Sequence, residues 1–346
     1  MIDWQVARST AHRLVRPGPD LSAAEVETVV GELREASRVA EDPVREFTGL
    51  RPAWPTPVLV VDRPRWSDAN LASFTYLFAP LDARLRAEGR LPTGMSRTVG
   101  SRVTGVELGA VVAFLAGKVL GQFDPFHEGA DGPGRLLLVA PNIVHVERQL
   151  EVDPGDFRRW VCLHEETHRA QFTAVPWMRD HMLSLVADLL DATEIGGNAV
   201  TSALGEALPE LVKIVRGESD KSLGDLMQNE RQRAVVDQMT GMMSLLEGHA
   251  DVVMDDVGPA YVPSVAEIRR KFTRRRGSGS ALSKVMRRLL GFEAKMRQYS
   301  EGATFVRSVT ERVGADGFAA VWAEPDHLPT KAEITDPAAW VARVHG

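Results

Sequence analysis

The chain has 346 residues, a net charge of −6 at pH 7, 44% hydrophobic residues and 25% charged residues. This is the composition of a globular protein long enough for one large or two average domains, and its acidic balance excludes a global basic field that would attract nucleic acid or an anionic membrane. The single cysteine, Cys162, excludes an intrachain disulfide framework and fits a reducing compartment. The first residues, Met1-Ile2-Asp3-Trp4-Gln5, are polar and no early apolar run follows, so a cytoplasmic location is expected. Apolar stretches such as residues 106–119 carry Glu107 and Lys118 and are too short to span a bilayer, so no membrane span is expected.

Residues 1–50 read as helices, with Ser22 followed by Glu25 marking a start and Val26, Val29, Val30 and Leu33 recurring at helical spacing. Three prolines in residues 51–57 end that region, and Val58-Leu59-Val60-Val61 reads as a buried strand. Helices are predicted over 65–90 and 103–120. Residues 121–134, rich in Gly, Asp and Pro, read as a loop in which Asp124 and His127 are ordinary solvated groups. Arg135-Leu136-Leu137-Leu138-Val139-Ala140 is the strongest strand candidate.

From residue 153 onward the pattern is helical. Asp153 suits an N-cap, Pro154 the first helical position and Asp156 the first turn, and this helix should reach about Phe172 before Pro176 blocks it. Long helical regions follow over 177–216 and 223–257, stopped by Gly258-Pro259, and another over 282–299, before a short helical tail that ends with Trp340. The basic run 269–276 contains one aromatic, Phe272, and reads as a solvated helix face rather than a nucleic-acid site. The expected fold is mainly α with a small β-sheet in the N-terminal half, an α+β arrangement in a single composite domain over residues 1–346. Residues 1–150 would hold helices plus short strands. Residues 151–346 would be helical and carry the functional site between two core helices.

The chemistry-bearing stretch is Leu163-His164-Glu165-Glu166-Thr167-His168-Arg169. His164 and His168 are four apart, so a helix puts both imidazoles on one face, within reach of one ion. Glu165 lies about a hundred degrees round the helix, close enough to take a proton from a water at the ion without ligating it. Such an ion lowers the pKa of water towards ~7, and Glu165 can return the proton to a leaving amine. A catalytic zinc site needs a third protein ligand. Residues 169–175 contain neither Gly nor His, which excludes the metzincin continuation. The candidates lie in Glu247-Gly248-His249-Ala250-Asp251. Residues two positions apart on a helix are ~200° apart round its axis, so Glu247 and His249 cannot both face one ion from an intact helix. His249 shares its face with Leu246, Val252 and Val253 and reads as core. Glu247 is therefore assigned as ligand, and Asp251, four residues on, as the acceptor for a ligand histidine's other N–H. An interruption of the helix at Gly248 would weaken that phase argument.

His164-Glu165-x-x-His168 followed by Glu247-x-x-x-Asp251 resembles the gluzincin arrangement, in which two histidines and a downstream glutamate hold Zn2+. More narrowly, His-Glu-x-Thr-His-Arg-x-Gln-Phe at 164–172 and Glu-Gly-His-Ala-Asp-Val-Val-Met-Asp at 247–255 resemble an actinobacterial zincin-like family of zinc-dependent metallopeptidases. Leu14-Val15-Arg16-Pro17-Gly18-Pro19 and Val58-Leu59-Val60-Val61-Asp62-Arg63-Pro64 look like the branch named for association with biosynthesis of a deazaflavin coenzyme. The resemblance implies a zincin-like fold and a peptide or small amide substrate. The long separation of His168 from Glu247 departs from ordinary gluzincins and implies inserted helices. An oxyanion donor could be Tyr299, beside Arg297, or Tyr261, and the strand at 135–140 could bind substrate backbone by β-addition. The first reading is a zinc metallopeptidase with Glu165 as general base. The rivals are an amidohydrolase of a small non-peptide substrate and a zinc-stabilised, non-catalytic scaffold or partner-binding protein. The sequence does not give an oligomeric state.

Overall fold

A computed structural model describes residues 2–89, 94–130, 132–192, 230–277 and 297–346. The N-terminal half contains α1 (Trp4–Leu14), α2 (Ala23–Thr48), β1 (Val58–Val61), α3 (Arg63–Ala87), α4 (Gly94–Ala116), β2 (Gly121–Glu128), β3 (Pro133–Val139), α5 (Ala140–Leu150), α6 (Pro154–Ala174) and α7 (Met178–Ala192). The remainder contains α8 (Glu230–Asp256), α9 (Gly258–Tyr261), α10 (Val265–Gly277), α11 (Arg297–Phe318), α12 (Lys331–Thr335) and α13 (Pro337–His345). The described chain is mostly helical with one small mixed sheet in the N-terminal half, as the sequence predicts. Ser22 caps α2 in a reciprocal box with Glu25, a device worth about 1 kcal/mol. Of the helices expected over 177–216 and 223–257, the described parts appear as α7 and α8, and the helix expected over 282–299 lies outside the described residues except for its last three, which begin α11. Their intervening parts, 193–229 and 278–296, lie outside the described residues.

The sheet corrects two expectations. Residues 121–128 form a strand rather than part of a loop, and the strand order β1-β3-β2 makes β2 an edge. Pro125 is tolerated there because an edge strand need not donate from every residue, and the ladder breaks register between Asp124 and Glu128. Asp124 is buried rather than solvated: it accepts from Ser73 and pairs with Arg135 at 2.9 Å. The strand at 135–140, proposed from sequence as a substrate edge, is the central strand, parallel to β1 and antiparallel to β2. With both edges paired, β3 has no free ladder to offer. Its unbroken apolar run is what burial on both faces requires.

Side chains alternate across the sheet. Phe123, Leu136 and Leu138 join the cluster that holds α2, α6, α8 and α11, and this cluster extends from Val29 to Trp340. Val61, Leu137 and Val139 face α1, α3 and α4. In α4 the stretch Thr98–Ala116 is long and apolar enough by length and composition to cross a membrane, which residues 106–119 alone did not suggest. One of its faces packs on α1, where a Cβ on Gly109 would stand 2.4 Å from the Ala7 carbonyl oxygen.

The second half is built on α8, which runs unbroken through Gly248. That glycine serves packing: a Cβ on it would lie 2.1 Å from the carbonyl carbon of Gly302 in α11. The phase argument for Glu247 and His249 therefore applies to an intact helix. The basic run in α10 has a solvated side, on which Arg270 and Arg274 are exposed, and a side that packs on the protein. Arg269 pairs with Asp251 and Asp255, Lys271 pairs with Glu267, and Phe272 meets Trp160 edge-on at 4.8 Å.

Candidate metal centre

α6 starts where the sequence predicts. The Asp153 side chain accepts from the Asp156 N–H at 2.8 Å and Pro154 occupies the first turn. The helix is buried nearly all round, between α2, the sheet and α8, so each polar side chain on it needs a partner. On the side facing α2, Glu166 accepts from the Ser37 hydroxyl and pairs with Arg169, whose guanidinium also reaches Glu41 at 3.0 Å. Thr167 donates to the Leu163 carbonyl, and Phe172 stacks on Phe123 of β2 with centroids 5.6 Å apart.

On the side facing α8, His164 and His168 stand edge-to-face with their Nε2 atoms 3.2 Å apart. Glu247 places Oε2 3.7 Å from His164 Nε2 and Oε1 3.6 Å from His168 Nε2. The three donor atoms lie within 4.8 Å of one another. Tetrahedral ligands at ~2.0–2.1 Å from zinc stand ~3.3–3.4 Å apart, so this donor set and spacing fit the ion with small adjustments. The side chains of His164, His168 and Glu247 retain 20%, 14% and 27% exposure, so the cluster opens to solvent on one side. A closed structural zinc site would not be open in this way.

Glu165 is buried beside the cluster. Burial first, then the Glu247 and Glu166 carboxylates, raise its pKa well above the usual carboxylate range. A cation at His164, His168 and Glu247 would reverse that bias and favour the carboxylate. Its carboxyl group rests on the backbone at the start of β2: a Cβ on Gly121 would lie 2.4 Å from Glu165 Cδ. Only glycine leaves room for the acid at this place.

The outer nitrogens of the histidines have partners the sequence reading did not assign. His164 Nδ1 faces Met254 Sδ at 3.2 Å, and His168 Nδ1 faces Gln171 Oε1 at 2.9 Å. Gln171 is fully buried, and its Nε2 lies 3.0 Å from the Leu246 carbonyl oxygen and 3.1 Å from His249 Nδ1. Gln171 follows His168 by three residues and shares its face, a spacing that could have drawn attention to it. His249 is a core residue, packed on Trp322 and Phe318 at centroid distances of 5.2 and 5.7 Å. Burial, with a smaller contribution from His168, lowers its pKa to about 3.

Two sequence assignments change. Asp251 was expected to hold a ligand histidine, but it pairs with Arg269 at 3.0 Å, one turn along the same face of α8 from Glu247. Tyr261 was a candidate oxyanion donor, but its hydroxyl donates to the Val39 carbonyl at 2.8 Å. Tyr299 is on the first turn of α11, and its side chain lies outside the described residues. The stretches 14–19 and 58–64 have a structural task away from the cluster. The buried Arg63 guanidinium donates to the Arg16 and Pro17 carbonyls and to Asn142, fastening the loop after α1 to the start of α3.

Comparison with known proteins agrees with this geometry. A family model described as zincin-like metallopeptidase matches residues 2–341. A crystal structure from Chloroflexus aurantiacus, described as a "putative hydrolase with a novel fold", is 29% identical, with a TM-score of 0.70 over 99% of this chain and 98% of that one. No curated protein matches the chain. With the match running almost end to end, this chain belongs to the zincin-like metallopeptidase family.

Proposed function

We propose that the protein is a zinc-dependent peptidase in which His164, His168 and Glu247 hold the metal and Glu165 is the general base. The observation that carries this reading is the open cluster of two imidazoles and a carboxylate with a further, buried carboxyl at its side. A purely structural zinc has no use for Glu165. When bound, the ion would act as a Lewis acid, lowering the pKa of a water towards ~7 and polarising a carbonyl. Glu165 takes the proton as the water's oxygen attacks the amide carbon, then delivers it to the nitrogen as the C–N bond breaks. The products are a carboxylic acid and an amine. Tyr299, on a helix that crosses α8 beside Gly248, is our candidate for the donor to the developing oxyanion.

The strand beside Glu165 favours a peptide over a small amide. Val139 donates to the Leu120 carbonyl, so Leu120 and Val139 form a hydrogen-bonded pair of the antiparallel ladder. The alternation then turns the N–H and C=O of Gly121 and Phe123 away from β3. The next outward carbonyl, Pro125, accepts from Arg179 at 2.8 Å. The stretch from Gly121 to Phe123 therefore offers backbone groups to an extended substrate, and it begins where Glu165 lies. The narrower placement in a deazaflavin-associated actinobacterial branch rests on the stretches 14–19 and 58–64 and adds no residue to the site.

Metal analysis of purified protein should give about one zinc per chain. Glu165→Gln should keep that zinc and reduce cleavage of a mixed peptide library by about 10²–10⁴-fold. Undiminished cleavage in the variant would remove Glu165 as base. Zinc without cleavage in the wild-type protein would favour the scaffold.

A further inference from the structure

We infer that Gln171 is a positioning residue that fixes His168 in its metal-binding tautomer, and that the backbone carbonyl of Leu246 dictates the choice. The inference rests on the metal reading above. The Leu246 carbonyl can only accept a hydrogen bond, so the Gln171 atom 3.0 Å away must be the amide nitrogen. The same NH2 group turns its second hydrogen towards His249 Nδ1 at 3.1 Å. Both hydrogens are then used, and the amide oxygen is left facing His168 Nδ1 at 2.9 Å. An oxygen there requires a proton on His168 Nδ1. A neutral imidazole carries one proton, so the Nε2 lone pair is free and points at His164 Nε2 and Glu247.

The same contacts connect the two helices that supply the ligands. Gln171 projects from α6, three residues after His168. The carbonyl it grips belongs to the residue immediately before Glu247 in α8. A single buried side chain therefore sets the protonation of one ligand and anchors the backbone that carries another. His249 is the other acceptor, which gives the histidine of Glu247-Gly248-His249 a reason to face away from the metal: its Nδ1 takes the Gln171 hydrogen that would otherwise be buried without a partner. Partners on the far nitrogen of a ligand histidine typically govern 10–100-fold in metal affinity.

The direct test is a long-range 1H–15N correlation spectrum of the zinc-free protein at pH 8. His168 should show the Nδ1–H tautomer, whereas an Nε2–H signal for His168 would overturn the inference. Zinc affinity, measured by competition with a chromophoric chelator, gives an independent readout. Gln171→Leu should bind zinc 10–100-fold more weakly. Gln171→Glu should recover part of that loss, because its carboxylate can accept from His168 Nδ1 but cannot donate to Leu246. Wild-type affinity in the leucine variant, or equal losses in both variants, would also overturn the assignment. If the wild-type protein takes up no zinc, the metal reading fails, and the tautomer spectrum still decides whether Gln171 sets His168.

Discussion

The two sides of α6 carry similar residues in opposite electrostatic condition. On the side facing α2, the buried Glu166 is answered by Arg169 and by the Ser37 hydroxyl, and Arg169 is answered again by Glu41. On the side facing α8, Glu165 sits near Glu247 and two imidazoles with no guanidinium or ammonium among the described ion pairs of Glu165 or Glu247. Burying acids without a counter-charge is expensive, so a helix that pairs one glutamate carefully and leaves its neighbour beside another carboxylate has a reason for the difference. A divalent cation held by His164, His168 and Glu247 would supply it. The paired side holds the helix in place, and the unpaired side is completed by what binds there.

That contrast can be broken by substitution, and the largest effect is expected on the paired side. Arg169→Met leaves Glu166 buried without its partner and should cost about 3–5 kcal/mol in denaturant unfolding, whether zinc is present or absent. A loss below 1 kcal/mol would mean that the network is not structural. Next in size is the effect of the metal. Zinc at a hundred times its dissociation constant should stabilise the wild-type protein by about 2.7 kcal/mol. Glu247→Ala should abolish most of that gain while leaving the zinc-free protein no less stable, because it removes one of two adjacent carboxylates. A zinc-free protein markedly weakened by this substitution would give Glu247 a structural role instead. The smallest effect is expected at Gly121→Ala. The added methyl group collides with Glu165, so peptide cleavage should fall roughly tenfold, about 1.4 kcal/mol, with zinc content unchanged. Unaltered cleavage would show that Glu165 does not need its place against β2.

Much of this was legible in the sequence because it is local or periodic. The caps of α2 and α6 are spelled out by Ser22, Asp153 and Pro154, and the four-residue spacing of His164 and His168 fixes a shared face. Helical phase also separated Glu247 from His249, and the structure places the first at the cluster and the second in the core. The same phase argument failed for Asp251. Periodicity gives the face but not the neighbour, and Arg269 from α10 arrives there. The contacts that escaped are long-range: Gly121 under Glu165, and Gln171 across to Leu246. β2 was missed because an edge strand can carry the glycine and proline that in isolation signal a loop.

The most direct measurement is X-ray absorption at the zinc edge of the purified protein, taken together with Glu247→Ala. The account predicts a first shell of only nitrogen and oxygen at ~2.0–2.2 Å, with two imidazoles, a carboxylate and one exchangeable solvent position, and loss of the carboxylate in the variant. A shell of four protein ligands closed to solvent, or an unchanged shell in Glu247→Ala, would contradict it.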